Sequence, residues 1–237
     1  MGLIQAALLV VEVLTARFLT GKNRLAERIA VWVLGAYFLF YKSWEYGPFE
    51  ALPLDLSAMS YFLFGIAAFV PFRPLKAAAS FSAMLSGIIY AATMTLYPES
   101  HFASLPSNIY FLVSMALVNH NLMLVGGILM SSIYKYERTD YVWIFGWMGF
   151  FVAYVALLVY GYEVNIGTSS ILGILHGTLV AEVLGVEMTV GYCIIYYTVF
   201  FALFGVLMYG YYRLNRAFHK KDPKFLPSFH KTSEFFA

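Results

Sequence analysis

About seven apolar stretches, each long enough to cross a bilayer, fill most of this 237-residue chain. They run roughly over residues 3–19, 29–44, 54–72, 75–97, 109–134, 141–160 and 188–212. Such a pattern constrains the fold before any motif is considered, because a segment in lipid must satisfy its own backbone hydrogen bonds. The expectation is an all-α polytopic membrane bundle. Composition agrees: 61% of residues are hydrophobic, 12% are charged and the mean hydropathy is +0.74, values that would give a soluble domain an insoluble surface. The net charge of +2 is scattered over short connections, which excludes a nucleic-acid footprint. A single cysteine, Cys193, excludes an intrachain disulfide and a thiolate metal cluster. The N-terminus has no basic region or small-residue cleavage site before Arg17, so the first stretch reads as a retained span. Ala6 stands where a myristoylation motif requires Ser or Thr.

Basic residues report orientation through the positive-inside rule. Arg17, Lys22, Arg24 and Arg28 lie between the first two spans, Arg73 and Lys76 between the third and fourth, and Lys135 and Arg138 between the fifth and sixth. Arg213, Arg216, Lys220 and Lys221 follow the last. The alternate connections carry Glu45, Glu50, Glu99, His101 and Glu163, with Lys42 as their one basic residue. This alternation predicts an N-out, C-in topology. The apolar segment 171–186 is short, follows Gly167-Thr168-Ser169-Ser170 and contains His176 and Glu182. As a span it would invert the basic tail, so it reads as a re-entrant or interfacial helix on the outer side, with a plain eighth span as the alternative. The chain thus divides into one transmembrane domain, 1–212, and a basic, aromatic cytoplasmic tail, 213–237. No internal repeat of the transporter kind is evident.

Polar residues at bilayer depth are the candidates for function. Asn119, His120 and Asn121 interrupt the fifth apolar stretch near its middle. Successive helical residues point about 100° apart, so the three cannot share one site. A neutral imidazole whose tautomer is fixed by one partner leaves its other nitrogen as a base; the bland alternative is an interhelical staple. At the start of the third span, Pro53 suits a first helical turn, and Asp55 either complements the helix dipole or serves the site. Ser57 either bonds back to the Pro53 carbonyl or acts as a nucleophile if an imidazole approaches it. Two residues apart, Asp55 and Ser57 would face opposite sides of a regular helix. Glu12 is the acid of the first span, and Ala79, Ala83 and Gly87 form a close-packing stripe in the fourth. No metal-ligand spacing, phosphate loop or nucleophile elbow appears, and no cofactor is expected.

The order of these features resembles the YwaF-like family of integral membrane proteins, related to animal transmembrane phospholipid acyltransferases. The resemblance covers about 46–165. It rests on Leu52-Pro53-Leu54-Asp55-Leu56-Ser57, similar to a family Leu-Pro-Leu-His-Leu-Cys stretch, then on Phe81, Gly87 and Pro98. Val118-Asn119-His120 and Glu163-Val164-Asn165 complete it. It implies Ser57 in the place of a nucleophilic cysteine and His120 in that of the base. Three positions depart from the family: Ser57 for cysteine, Asp55 for histidine, and Ala58 for a frequent aspartate.

The leading expectation is an intramembrane acyltransferase acting on phospholipid or lysophospholipid, with Ser57, His120 and Asp55 catalytic. Asn119 or Asn165 would hold the oxyanion, and Asn121, His176 and Glu12 would complete the substrate site. Its partners are membrane lipids, with a second copy or another membrane protein left open, and its expected location is the bacterial cytoplasmic membrane. Two alternatives stay open. One is a carrier or binding protein with a cavity lined by His120, Asn119, Asn121, Glu12 and Asp55; the other is a non-catalytic subunit whose polar residues join helices. Depth opposes the catalytic pair, since counting from the outer ends puts Ser57 near the surface and His120 about 15–20 Å below it.

Overall fold

A computed structural model of the chain describes residues 2–20, 23–46, 52–96, 109–164 and 171–220. Asn165, Glu50, Glu99, His101 and the tail from Lys221 lie outside them. Every regular element among the described residues is helical: α1 Gly2–Leu19, α2 Arg24–Tyr46, α3 Leu56–Phe69, α4 Arg73–Leu96 and α5 Ile109–Ile133. A 3₁₀ turn, Arg138–Tyr141, leads into α6 Val142–Ala156, which widens to a π turn over Leu157–Gly161. Two short helices, α7 Ile171–His176 and α8 Thr178–Leu184, precede α9 Val190–Phe218. Local chemistry sets several boundaries. Asn23 Oδ1 accepts from the backbone N–H of Leu25 and Ala26, both at 3.1 Å, and so caps α2. Thr189 caps α9 through Tyr192 N–H at 3.2 Å. Val70, before Pro71, turns to extended backbone and ends α3, while Pro74 sits at the start of α4, where its missing N–H is harmless.

Four stretches are long and apolar enough to cross a membrane: Arg73–Leu96, Met115–Ile133, Arg138–Gly161 and Val190–Phe218. Helices α1 and α3 are apolar but shorter. The 14 residues of α3 rise only about 21 Å against a hydrocarbon core of about 30 Å. The sequence pattern extended this span to 54–72, but Pro53 and Asp55 belong to an extended lead-in rather than a first turn.

The core lies where α2, α3, α4 and α5 meet, around Phe38, Tyr61, Phe64, Ala67, Ala79 and Met123. Helices α4 and α5 pack almost backbone to backbone. A Cβ built on Gly87 would stand 2.9 Å from the His120 carbonyl oxygen, and one on Gly127 would stand 2.8 Å from that of Ser80. Ala79 and Ala83 are fully buried, so their stripe with Gly87 is a packing face. Helix α9 gives this core Tyr211, with Phe204, Leu207 and Met208 packed against it. No residue of its apolar window is buried, leaving a long apolar face of the kind lipid covers.

The basic connections converge at one end of the bundle. Arg24 donates to the Ser132 carbonyl, and the Ser132 hydroxyl oxygen lies 3.1 Å from a Glu27 carboxylate oxygen. Arg73 pairs with Glu137 at 3.0 Å and with buried Asp140 at 2.7 Å. Lys76, buried, donates to the Ala67 carbonyl at 2.6 Å with its ammonium 4.8 Å from the centre of the Tyr134 ring. Asn215 on α9 donates to the carbonyls of Ser131 and Tyr134, both at 2.8 Å. The helix therefore continues past the expected boundary at 213, because Asn215 and His219 are anchored against the end of α5.

Segment 171–186 is a broken helix. Gly177 adopts a left-handed conformation, φ +78°, between α7 and α8, a geometry that favours glycine. Together the two helices rise about 20 Å, short of a span. Ile171 and Leu172 pack against Phe151 and Val155 of α6. Tyr192 and Tyr196 of α9 donate to the carbonyls of Gly177 and Ile174, which also accept from the backbone N–H of Ala181 and Gly177, and so tie the break to α9.

Candidate functional site

Antiparallel packing of α3, α4 and α5 brings residues far apart in the chain to a similar height. The Ser60 and Ser82 hydroxyls meet at 2.6 Å, and Lys76 reaches Ala67, which sets the register of α3 on α4. The close contact of Gly87 with Leu124 and His120 sets that of α4 on α5. Measured from the basic end, Ser57 lies 12 residues from Phe69, Ser86 13 from Arg73 and His120 13 from Ile133. Each is thus about 20 Å above that end. Ser57 is recessed because α3 is short and is fed by an extended strand of chain. The depth mismatch expected from the outer ends disappears, and both side chains line one pocket.

That pocket has a volume of about 290 Å³, at the lower limit for small-ligand sites. Its floor and walls come from Asp55, Leu56 and Ser57 at the start of α3, Ser86, Ile89, Tyr90 and Thr93 of α4, His120 of α5, and Ile171 and Ile174 of α7. Asp55 precedes the helix with extended backbone, φ −91° and ψ 145°. The expectation that Asp55 and Ser57 face apart assumed a helix at both positions, and they share the pocket because only Ser57 is helical. The Asp55 carboxylate makes no side-chain cap on α3. The first-turn N–H groups have no acceptor within the helix, and Ser57 sits in that turn, at the positive end of the helix dipole.

The three polar residues of α5 diverge as their 100° spacing requires. Asn119, buried, accepts from Tyr37 of α2 at 2.6 Å. Asn121 exchanges two hydrogen bonds with Gln5 of α1, at 2.8 and 3.2 Å. Both were expected at the substrate; the structure turns them to neighbouring helices, as interhelical staples. His120 keeps the pocket. Its Nδ1 lies 2.7 Å from the Ala116 carbonyl oxygen, which can only accept, so Nδ1 carries the proton and the neutral ring has its lone pair on Nε2. Tyr90 stacks on the ring at 4.1 Å and 8°, and Tyr61 meets it edge-on at 5.9 Å. A backbone carbonyl and two aromatic rings thus hold the rotamer and tautomer. The Lys42 ammonium of α2 pairs with Glu45 at 2.5 Å and lies 4.8 to 5.3 Å from the ring centres of Tyr61, Tyr41 and Tyr46.

Glu12 and His176 are not among the residues that line this pocket. Glu12 lies on α1 with one buried oxygen lacking a hydrogen-bond partner, and His176 is exposed at the end of α7. Asn165 is outside the described residues. Sequence reasoning missed the α4 wall. Its signal was present, since Ser86, Tyr90 and Thr93 recur at i, i+4 and i+7 along the edge of the Ala79, Ala83, Gly87 stripe, Ser86 and Tyr90 each lying two turns beyond Ala79 and Ala83. Compared with models of known protein families, with curated proteins and with solved structures, the chain matches none.

Proposed function

We propose that this protein is an integral membrane acyltransferase that moves a fatty acyl group between phospholipid and lysophospholipid through Ser57 and His120. The reading is carried by one observation: these residues, from α3 and α5, line the same pocket at the uncapped N-terminus of α3. A hydroxyl is not ionised near neutrality and needs a base, and a histidine holding its proton on Nδ1 offers Nε2 for that role.

In the first half-reaction Nε2 takes the Ser57 proton as Oγ bonds to the ester carbonyl carbon. The carbon–oxygen bond to the glycerol then breaks, and the departing alkoxide receives the proton from His120 and leaves as lysophospholipid. In the second half, an acceptor hydroxyl gives its proton to Nε2 and attacks the acyl-serine. Ser57 leaves and regains the proton. Backbone N–H groups of the first turn of α3 take the oxyanion role earlier expected of Asn119 or Asn165. In this reading α1 to α6 and α9 cross the bilayer and the α7–α8 pair re-enters from the outer side. The basic end faces the cytoplasm.

Purified protein in liposomes containing a chain-labelled phospholipid and an unlabelled lysophospholipid tests the proposal. Label should appear on the acceptor, and fall by at least about 10³-fold in Ser57→Ala and in His120→Ala. Folded protein that transfers no label with any of several head groups refutes the chemistry.

A further inference from the structure

We infer that Ser86 is the side-chain donor that receives the carbonyl oxygen of an acyl ester bound in this pocket. The inference rests on the acyl-ester reading above and adds a residue and a recognised group to it. Its basis is a hydroxyl that stands apart from its peers. Serine and threonine in membrane helices ordinarily bond back to a carbonyl three or four residues earlier. Ser60 does so to Leu56, Ser80 to Ala77, Thr93 to Ile89 and Tyr90, Ser132 to Leu129 and Thr198 to Ile194. Ser86 does not. The residue is only 5% exposed, its hydroxyl oxygen is buried without a hydrogen-bond partner, and it lines the pocket.

A buried hydroxyl left without a partner is unfavourable, so a position that keeps one is arranged for something the pocket admits. The surroundings specify that group. A hydroxyl can donate one hydrogen bond, which suits a neutral acceptor such as a carbonyl oxygen. Ile89 of the same helix and Ile171 and Ile174 of α7 also line the pocket, an apolar surface suited to the adjoining methylenes. The Thr93 hydroxyl, by contrast, is engaged by its own helix, at 3.0 and 3.1 Å from the carbonyl oxygens of Ile89 and Tyr90. Ser86 therefore faces the acyl carbonyl from α4 while Ser57 approaches from α3. As negative charge develops on that oxygen, the same hydrogen bond strengthens and Ser86 joins the α3 amides as an oxyanion donor.

The test separates recognition from chemistry by measuring binding where turnover is blocked. In full-length Ser57→Ala protein, affinities are compared for a diacyl phosphatidylcholine and its dialkyl ether analogue, which lacks the carbonyl. The ester should bind about five-fold more tightly, and adding Ser86→Ala should abolish the difference while leaving ether affinity unchanged. Ser86→Cys, a weaker donor of similar size, should fall between. Because the hydroxyl has no partner in the fold, Ser86→Ala should unfold at the same temperature as its parent or higher. With Ser57 intact, acyl transfer by Ser86→Ala should drop by about 10²-fold. Absence of an ester preference, its survival in Ser86→Ala, or a fall in thermal stability on that substitution each overturns the assignment. If the preference behaves as described but wild-type protein transfers no acyl group, Ser86 stands as a recognition residue and the transfer reaction fails.

Discussion

Replacing Gly87 by alanine tests the contact that holds the two walls of the pocket together. The new Cβ would lie 2.7 Å from Leu124 Cβ and 2.9 Å from the His120 carbonyl oxygen, where ordinary contact begins at 3.4 Å. Both obstacles are fixed to the backbone of α5, so no rotamer change relieves them, and the helices must separate by about 0.5–0.7 Å. Overpacking of this kind costs about 1–3 kcal/mol, offset by about 0.5–1 kcal/mol from replacing a helical glycine. The net expectation is a loss of up to about 2.5 kcal/mol. Activity should suffer more, since His120 moves relative to Ser57 and misplacement near 1 Å can cost about 10²-fold. Gly146→Ala is the matched control: its Cβ meets nothing within 4 Å, so stability should be unchanged or slightly raised. Thermal unfolding in detergent and acyl transfer in liposomes, run on both variants, give the answer. If Gly87→Ala matches Gly146→Ala in both assays, α4 and α5 are not in the close contact from which the site is built.

Three further outcomes follow from the packing. Gln5→Leu or Asn121→Leu alone should destabilise by about 1–3 kcal/mol by leaving a buried amide unpaired, while the double variant loses less than the sum; a double-mutant cycle in unfolding free energy that shows no coupling would reject the staple. Arg73→Met leaves the buried Asp140 carboxylate without its cation and should cost about 3–5 kcal/mol, with Asp140→Asn in the same chain recovering part of it, both read by thermal unfolding. His219, beyond the end of α9, donates from Nε2 to the Ser131 carbonyl at 3.2 Å, and burial holds its pKa below the usual 6.5. The unfolded chain then takes up a proton before the folded one, so stability should fall as pH drops below about 6.5 and be unaffected by this group above it. His219→Gln should flatten the unfolding curve measured from pH 8 to 5, and an unchanged slope would remove His219 as its source.

Much of this architecture was written in the order of residues along the chain. Repeated apolar runs required helices, because lipid offers a backbone no other partner. The alternation of basic connections required Arg24, Arg73, Lys135 and Arg213 to lie toward one end of an up-and-down bundle. The hydrogen bonds from Arg24, Arg73 and Asn215 to the end of α5 and its following turn show that end assembled. The 100° step between residues also required Asn119, His120 and Asn121 to diverge, although not which of them would meet the pocket. Tertiary structure decided that. Helical periodicity describes one helix, whereas a site depends on the relative heights of several, and those follow from where each begins and how closely it can approach its neighbour. Asp55 and Ser57 share a pocket because α3 starts between them; Ser57 and His120 share it because α3 is short; and Ser86 joins them because Gly87 lets α4 and α5 touch.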